Sequence, residues 1–281
     1  MILMDLAQVM IATLMEQLGN HTNADLDENL LRHMVLNSIR ANKIKFSTEY
    51  GALVIAADDR RSWRRDIFPY YKANRKKARD SSELNWNMIF DSLNKIREEL
   101  KEVFPYRVVQ ADGAEADDII ATLVKHNQTE DIIILSGDKD FQQLQKYPNV
   151  KQYSPPLKKY ITCNDPESFL KEHIIRGDVG DGIPNFLSSD DTLVTGIRQK
   201  SIMSKRVEVW LTQQPEEFCN SEMLRNFSRN KTLVDFSCIP DYIEVNILEE
   251  FEKQSNKDRS KLFNYFIEKK LKNLVEAIGD F

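Results

Sequence analysis

The stretch Ile132-Ile133-Ile134-Leu135-Ser136-Gly137-Asp138-Lys139-Asp140 constrains the fold more than any other, because an apolar run stops abruptly at two carboxylates one residue apart. A short apolar run bounded in this way predicts a β-strand. Its end delivers acids to the rim of a sheet, and in open α/β sheets the rim at the carboxyl ends of the strands is where ligands bind. Two carboxylates at that rim suit a hard divalent cation.

The same event recurs along the chain. Ile2-Leu3-Met4 ends at Asp5, the run from Ala52 to Ala57 ends at Asp58 and Asp59, and Val108-Val109 leads through Gly113 into Glu115, Asp117 and Asp118. A last cluster, Gly177-Asp178-Val179-Gly180-Asp181-Gly182, reads as a turn rich in carboxylate and glycine. Singly, each acid has an ordinary explanation. Asp5 and Asp138 suit the N-caps of following helices, and Glu115, Asp117 and Asp118 suit the positive end of a helix dipole. Jointly that explanation fails, because acids gathered on one sheet edge repel one another and are driven toward protonation unless a cation offsets them.

Between these points apolar periodicity alternates strand and helix. The reading is strand 2–5, helix 6–18, helix 27–43, strand 52–57, a basic segment 60–82, helix 84–103, strand 107–110, helix 115–126, strand 131–136, a short helix 139–145 and strand 150–154. This alternation predicts an α/β fold with a mainly parallel central sheet flanked by helices. After Pro155-Pro156 the pattern turns mostly helical, with breaks at Pro215 and Pro240. The expected division is a metal-binding α/β domain over 1–182 and a mostly helical region over 183–281.

Charge is unevenly placed. Nine basic residues between Arg60 and Arg79, against the single acid Asp66, give that window +8 in a chain of net charge −5, which leaves −13 for the remainder. A polyanion-binding patch beside an acidic centre is the expected result. Trp63, Phe68, Tyr70 and Tyr71 sit among the cations and could stack on exposed bases. With few aliphatic residues and Pro69 in its middle, segment 60–82 reads as an arch that orders only on a polyanion. A solvated basic helix face is the bland alternative.

The three cysteines have no metal-ligand spacing, which points to a reducing compartment. Charge at Asp5 comes too early for a signal peptide, and no apolar run approaches bilayer length. A soluble intracellular protein is expected.

In-line hydrolysis of a phosphodiester benefits from two divalent ions about 4 Å apart. Mg²⁺ keeps several waters, so many carboxylates can act at one remove. A base such as Lys72 or Arg75 can then offset charge developing on the phosphate. A zinc hydrolase fits less well, since the four histidines are scattered. A dehalogenase-like phosphatase would want its Asp-x-Asp on the first strand, yet Leu6 and Ala7 follow Asp5. No glycine-rich phosphate loop is present. Two alternatives stay open: a metal-dependent phosphatase on small esters, which leaves the basic arch unexplained, and a DNA-structure-binding protein with a decayed centre.

Glu115-Ala116-Asp117-Asp118, Ser136-Gly137-Asp138-Lys139-Asp140-Phe141 and Gly177-Asp178-Val179-Gly180-Asp181-Gly182-Ile183-Pro184 resemble, in order and spacing, the acidic blocks of the flap endonuclease or 5′-nuclease family. The likeness is strongest to its T-even bacteriophage members. It extends to Leu31-Arg32-His33, Trp63-Arg64-Arg65-Asp66, the run from Lys146 to Gln152, and Val234-Asp235-Phe236. It implies a 5′-nuclease or PIN-like fold and two Mg²⁺, with Mn²⁺ able to substitute. Asp5, Asp58, Glu115, Asp117 and Asp138 fall to the first metal; Asp140, Asp178 and Asp181 fall to the second, partly through water. Helical spacing alone would pair Glu115 with Asp118, whereas the resemblance favours Asp117.

The resemblance further implies catalytic roles for Lys72, Arg75, Asp117 and Asp138. Nucleic acid would be bound by Arg64, Arg65, Tyr71, Lys72, Arg75, Lys76, Lys77 and Arg79, with Tyr71 stacking on the terminal nucleotide. Lys200 and Lys205 join them from a helix-three-turn-helix element over 183–207 that keeps Gly196 but diverges in its glycine spacing. The implied activity is 5′→3′ exonuclease on RNA–DNA and DNA–DNA duplexes, with flap or fork endonuclease and ribonuclease H activity, removing RNA primers from lagging-strand fragments during phage replication. Forked, flap or nicked duplex DNA and RNA–DNA hybrid are the implied substrates. A phage single-strand-binding protein and sliding clamp are the implied partners of a monomer, without a membrane, in the cytoplasm of the infected bacterial host. The short N-terminal extension of the T-even members has no counterpart before Asp5, and the usual glycine after that aspartate is absent.

Overall fold

The computed structural model describes residues 1–18, 28–75, 84–254 and 257–281. Its chain forms two compact units. The sheet unit comprises Met1–Arg60, Glu83–Thr162 and Asp241–Phe281, and the helical unit comprises Arg61–Ser82 and Cys163–Pro240. The division expected at residue 182 does not follow these units: the arch segment groups with the helical region, and the last 41 residues, 241–281, group with the sheet.

In the sheet unit, β1 (Ile2–Asp5), β2 (Leu53–Ala56), β3 (Arg107–Val109), β4 (Ile132–Leu135), β5 (Val150–Ser154) and β6 (Lys159–Ile161) lie in the order β3-β2-β1-β4-β5-β6. The first five are parallel and β6 is antiparallel to β5. Strands are added in one direction from β1 through β3 and in the other from β4, so the order reverses between β1 and β4. That is the switch point at which such sheets open a crevice for ligand.

The continuous apolar runs follow from burial on both faces. Ile2, Met4, Leu53, Ile55, Ile133 and Leu135 point into one core with Leu31, Val35 and Ile39 of helix Glu28–Tyr50, Ile89 and Ile96 of helix Trp86–Val103, and Leu262 and Phe266 of helix Leu262–Glu268. The alternate residues Leu3, Val54 and Ile134 are equally buried. Helix Ala116–His126 packs against β1 and β2.

Helix Glu28–Tyr50 runs seven residues past its expected end at 43. Phe46 and Tyr50, one helical turn apart, are both buried in the same core. Gly51 stops the helix in the left-handed conformation at φ 76°, its N–H donating to Ser47 O at 2.9 Å. Arg32, 1% exposed, is held by Glu28 and Glu99 at 2.7 Å each, and Tyr265 donates its hydroxyl to Glu99 at 2.7 Å. Glu99, bonded by both Arg32 and Tyr265, thus joins three helices of the unit. Strand β6 has no counterpart in the sequence reading, where Pro155-Pro156 marks the end of the sheet. The prolines instead open a tight hairpin in which Tyr153 faces Tyr160 at 5.4 Å between ring centroids.

The helical unit contains helices Trp63–Ile67, Pro166–Arg176, Thr192–Thr195, Ser204–Leu211, Pro215–Phe218 and Ser221–Val234. Ile174, Ile175, Phe186, Val207, Trp210 and Phe227 form one apolar cluster, and Phe68, Tyr71, Ile183, Leu233 and Val234 form a second. The second cluster corrects the view that residues 60–82 cannot bury a convincing face. Up to Arg75 the segment is folded on its own aromatics, with Trp63, Phe68 and Tyr71 each 3% exposed. Lys76, Lys77 and Arg79 lie outside the described residues. Among the described residues, no helix is long and apolar enough to cross a membrane.

Candidate functional site

The acids at the strand ends of the sheet unit converge on the switch point. Register sets Met4 beside Leu135 and Asp5 beside Ala56, so Asp5 is flanked by Ser136 on one side and by the 57–58 turn on the other. Asp5 is buried. Its Oδ1 accepts from the Gln8 N–H at 3.0 Å, and its Oδ2 accepts from the Ser136 hydroxyl at 3.1 Å. Burial, followed by the Asp58 carboxylate and then by Asp138, pushes the Asp5 carboxyl up to about 7, against the opposing pull of the Gln8 and Ser136 hydrogen bonds.

Asp58 and its neighbour Asp59 do different work. Asp58 Oδ1 accepts from Ala116 N–H at 2.8 Å, which sets the start of helix Ala116–His126, and with it Glu115 and Asp117, next to Asp58. Asp59 instead pins the preceding loop, accepting from Gly113 N–H at 3.1 Å and Gln110 Nε2 at 3.3 Å. Asp118 is fully buried and its Oδ2 accepts from Glu115 N–H at 2.9 Å. It is spent as a helix cap. That leaves Asp117, half-buried in the first turn, and Glu115, buried at the cap position, as the helix's acids beside the centre.

After β4 the backbone turns at Ser136-Gly137. Ser136 Oγ accepts from Asp138 N–H at 3.1 Å while donating to Asp5, so one hydroxyl spans the two acids. Asp138 Oδ1 then caps the following 3₁₀ turn, accepting from Asp140 N–H at 3.0 Å. Asp58 and Asp138 are therefore close enough to raise the proton affinity of Asp5, and the donor atoms of all three side chains are oxygen. This set fits a hard divalent cation, whose charge would offset theirs.

The helical unit carries the other expected acids, Asp178 and Asp181, whereas Asp140 belongs to the sheet unit. Gly177 closes helix Pro166–Arg176 at φ 66°, where an added Cβ would lie 2.5 Å from the carbonyl oxygens of Ile183 and Pro184. Asp178 and Ile183 exchange backbone bonds of 2.8 and 2.7 Å across the turn. Asp178 Oδ2 lies 3.3 Å from Nε2 of His173, a buried residue. Along the chain this histidine is one of four scattered ones. Its position five residues before Asp178, on the preceding helix, was the available signal.

The arch meets the same turn. Lys72, at φ 57°, donates its backbone N–H to Asp181 O at 2.7 Å, and Asn74 Nδ2 donates to Val179 O at 2.5 Å. Arg75 is hydrogen-bonded to Asp181 Oδ1 through Nη2 and to Gly180 O through Nε at 3.2 Å. Lys72 Nζ lies 3.8 Å from Asp181 Oδ2, to which the Tyr71 hydroxyl donates at 3.0 Å. The structure thus brings Lys72, Arg75 and Asp181 together, but as partners of one another.

Two nucleic-acid assignments need correction. Arg64 is 3% exposed, with Nε donating to Leu233 O at 2.8 Å and its guanidinium 4.6 Å from the Trp63 ring. Tyr71 is buried in the second apolar cluster. Both are structural, because the arch needs a core of its own. Arg65 and Arg75 are exposed, as are Lys200 and Lys205. Lys200 lies between helices Thr192–Thr195 and Ser204–Leu211, and Lys205 lies in the latter's first turn. Gly196 ends the first of these helices at φ 76°. Arg176, Arg198 and Lys200 line an open cleft of about 440 Å³ beside this turn.

The 5′-3′ exonuclease N-terminal resolvase-like domain family matches residues 9–173, and the C-terminal domain family of T4 RNase H matches residues 165–281. Ribonuclease H of Enterobacteria phage T4 is 36% identical over 291 residues, covering 99% of this chain and 95% of that protein. Flap endonuclease Xni of Shewanella pealeana is 32% identical over 151 residues, covering 50% of this chain and 55% of that protein. Among solved structures, a bacteriophage T5 flap endonuclease in a pseudo-enzyme–product complex with DNA and metal ions superposes with a TM-score of 0.64 at 17% identity, covering 91% of this chain and 99% of that one. The T5 5′-exonuclease with bound zinc gives 0.60 at 16% identity, with the same coverage.

Proposed function

Because the chain belongs to the 5′-3′ exonuclease family and carries the C-terminal domain of phage T4 RNase H type, we propose that it is a Mg²⁺-dependent, structure-specific 5′ nuclease. It acts as a 5′→3′ exonuclease on RNA–DNA and DNA–DNA duplexes and as an endonuclease at flaps and forks. Its task is removal of RNA primers during phage DNA replication in the host cytoplasm. One observation carries this reading: Asp5, Asp58 and Asp138 gather at the sheet's switch point, where burial, followed by the two neighbouring carboxylates, pushes the Asp5 carboxyl up to about 7.

Asp5, Asp58, Asp138, Glu115 and Asp117 would hold the first ion. When bound, such ions activate water and stabilise the leaving oxygen of an in-line displacement. The protein's own contribution is positional and electrostatic. Ser136 and the Gln8 N–H fix Asp5, and Asp58 is anchored to the start of helix Ala116–His126. Lys72 and Arg75 supply cationic N–H donors, and an incoming phosphate competes with Asp181 for them. Arg65, Lys200 and Lys205 offer exposed charge to the duplex backbone.

The test is cleavage of a 5′-labelled flap and of an RNA–DNA duplex, with Mg²⁺ and with EDTA. Release of short 5′ products only with Mg²⁺ supports the reading. Tight binding without cleavage would make the protein a DNA-structure binder, and hydrolysis of p-nitrophenyl phosphate alone would make it a phosphatase.

A further inference from the structure

The segment Lys146–Gln152 resembles its family without receiving a role from the chemistry above. It ends in a side chain that is 1% exposed. The carboxamide of Gln152, on β5, donates through Nε2 to two carbonyl oxygens at once, Ser136 O at 3.0 Å and Asp138 O at 2.6 Å. Its Oε1 accepts from Gln145 Nε2 at 3.2 Å, and the same Gln145 amide reaches Ile161 O on β6 at 3.1 Å. A chain of two amides, partly buried at Gln145 and buried at Gln152, therefore runs from the edge strand to the two residues that carry the centre. These are Ser136, whose hydroxyl spans Asp5 and Asp138, and Asp138 itself.

We propose that Gln152, oriented by Gln145, is a positioning residue for the metal-binding carboxylates: it sets the path of the 136–138 turn and so the direction in which Asp138 and Ser136 present their oxygens. Both partners of Nε2 are backbone carbonyls, so only a donor satisfies them. The amide has two N–H groups and spends one on each. The turn's N–H groups are held elsewhere, Ser136 N–H by Tyr153 O and Asp138 N–H by Ser136 Oγ, each at 3.1 Å, so the Gln152 amide adds the restraint on its carbonyls. Gly137, between the two clamped carbonyls, lacks a side chain because an added Cβ would come within 2.9 Å of Gln8 Nε2 and 3.1 Å of Ser154 Oγ. A glycine turn has wide conformational freedom, and the paired carbonyl bonds remove it. Partners that orient ligands in this way typically carry about 10- to 100-fold in metal affinity or activity. The inference rests on the proposed nuclease reading for the identity of the reaction, but its geometry concerns only ion binding by the sheet unit.

The variants are Gln152→Met, which keeps length and removes the donor, Gln152→Glu, which sets an acceptor against two carbonyls, and Gln145→Leu, which removes only the orienting amide. Three quantities are compared with wild type. These are Mn²⁺ affinity without DNA, read from the free-ion electron paramagnetic resonance signal; single-turnover cleavage of a 5′ flap across a Mg²⁺ series; and flap affinity in Ca²⁺. The expected result for Gln152→Met and Gln152→Glu is Mn²⁺ affinity weaker by about 10-fold or more, a higher Mg²⁺ requirement and unchanged flap affinity. Gln145→Leu should move the same readouts in the same direction by a smaller factor. Unchanged Mn²⁺ affinity in folded Gln152→Met overturns the proposal even if its melting temperature falls, because the residue would then be a core amide only. If both Gln152 variants fail to fold, unchanged Mn²⁺ affinity and Mg²⁺ requirement in Gln145→Leu overturn it. Failure of wild type to cut any flap would sink the nuclease reading instead, and the Mn²⁺ comparison would still decide the role of Gln152.

Discussion

The Tyr71 hydroxyl donates to Asp181 Oδ2 at 3.0 Å, from a ring buried against Phe68, Ile183, Leu233 and Val234. This contact joins those of the Lys72 N–H, Asn74 and Arg75 in fixing the arch to the acidic turn. Tyr71→Phe should keep the ring's burial and lose a bond to a charged acceptor, costing about 1.5–3 kcal/mol of stability, with flap affinity unchanged. Tyr71→Ala should cost about 3–5 kcal/mol as a core truncation. Chemical denaturation and flap titration in Ca²⁺ check both, and a Tyr71→Ala protein of normal stability but weakened binding would restore the stacking role.

Arg64 and Lys205 should separate structure from binding. Arg64→Ala orphans Leu233 O, so a loss of about 1–3 kcal/mol of stability is expected. Lys205→Ala should leave the melting temperature unchanged and reduce the salt slope of flap binding by about one counterion. Calorimetry and affinity across a salt series distinguish them. A stable Arg64→Ala protein with a shallower salt slope would return Arg64 to the interface.

Asp138→Asn and Asp117→Asn should abolish cleavage while keeping flap affinity in Ca²⁺ within about an order of magnitude, because what is lost acts in the metal-assisted transition state. Asp118→Asn, by contrast, should act through stability, since Asp118 caps Glu115 inside the protein. Parallel loss of binding and cleavage in the Asp138 and Asp117 variants would assign those acids to the fold.

Asp5 gives a pH dependence with a definite sign. Its folded-state pKa lies near 7, above the ordinary 3.8, so folding takes up a proton between those values. The stabilising contribution is complete below about pH 4 and is lost as pH rises through about 7. In EDTA, the melting temperature of wild type relative to Asp5→Asn should therefore fall from about pH 5 to about pH 8, and Mg²⁺ should cancel the trend. A difference independent of pH would show that the carboxyl is not perturbed.

Much of the centre was legible because its acids stand where apolar periodicity ends, and a strand's end is a local property. Asp5, Asp58 and Asp138 needed only that logic. Choosing between Asp117 and Asp118 did not follow from helical spacing, since the buried cap at Asp118 depends on the chain just before the helix. The arch was misread for a longer-range reason. Phe68 and Tyr71 look like stacking aromatics until Leu233 and Val234, more than 160 residues on, supply the apolar surface they bury. Strand β6 escaped because Pro155-Pro156 reads as an exit from the sheet, and the edge it opens is short.

The interleaving of the two units along the chain has a consequence for how the protein forms. The sheet unit is complete only when Asp241–Phe281 delivers Leu262, Tyr265, Phe266 and Leu274 to a core whose other wall is made from residues 2–153. During synthesis the helical unit emerges whole before that closing segment does, so the strands wait with an apolar flank uncovered. Contacts of such sequence separation slow folding and expose the unfinished core to aggregation. Yield in a heterologous host should therefore depend on temperature and chaperone supply more steeply than the final stability suggests.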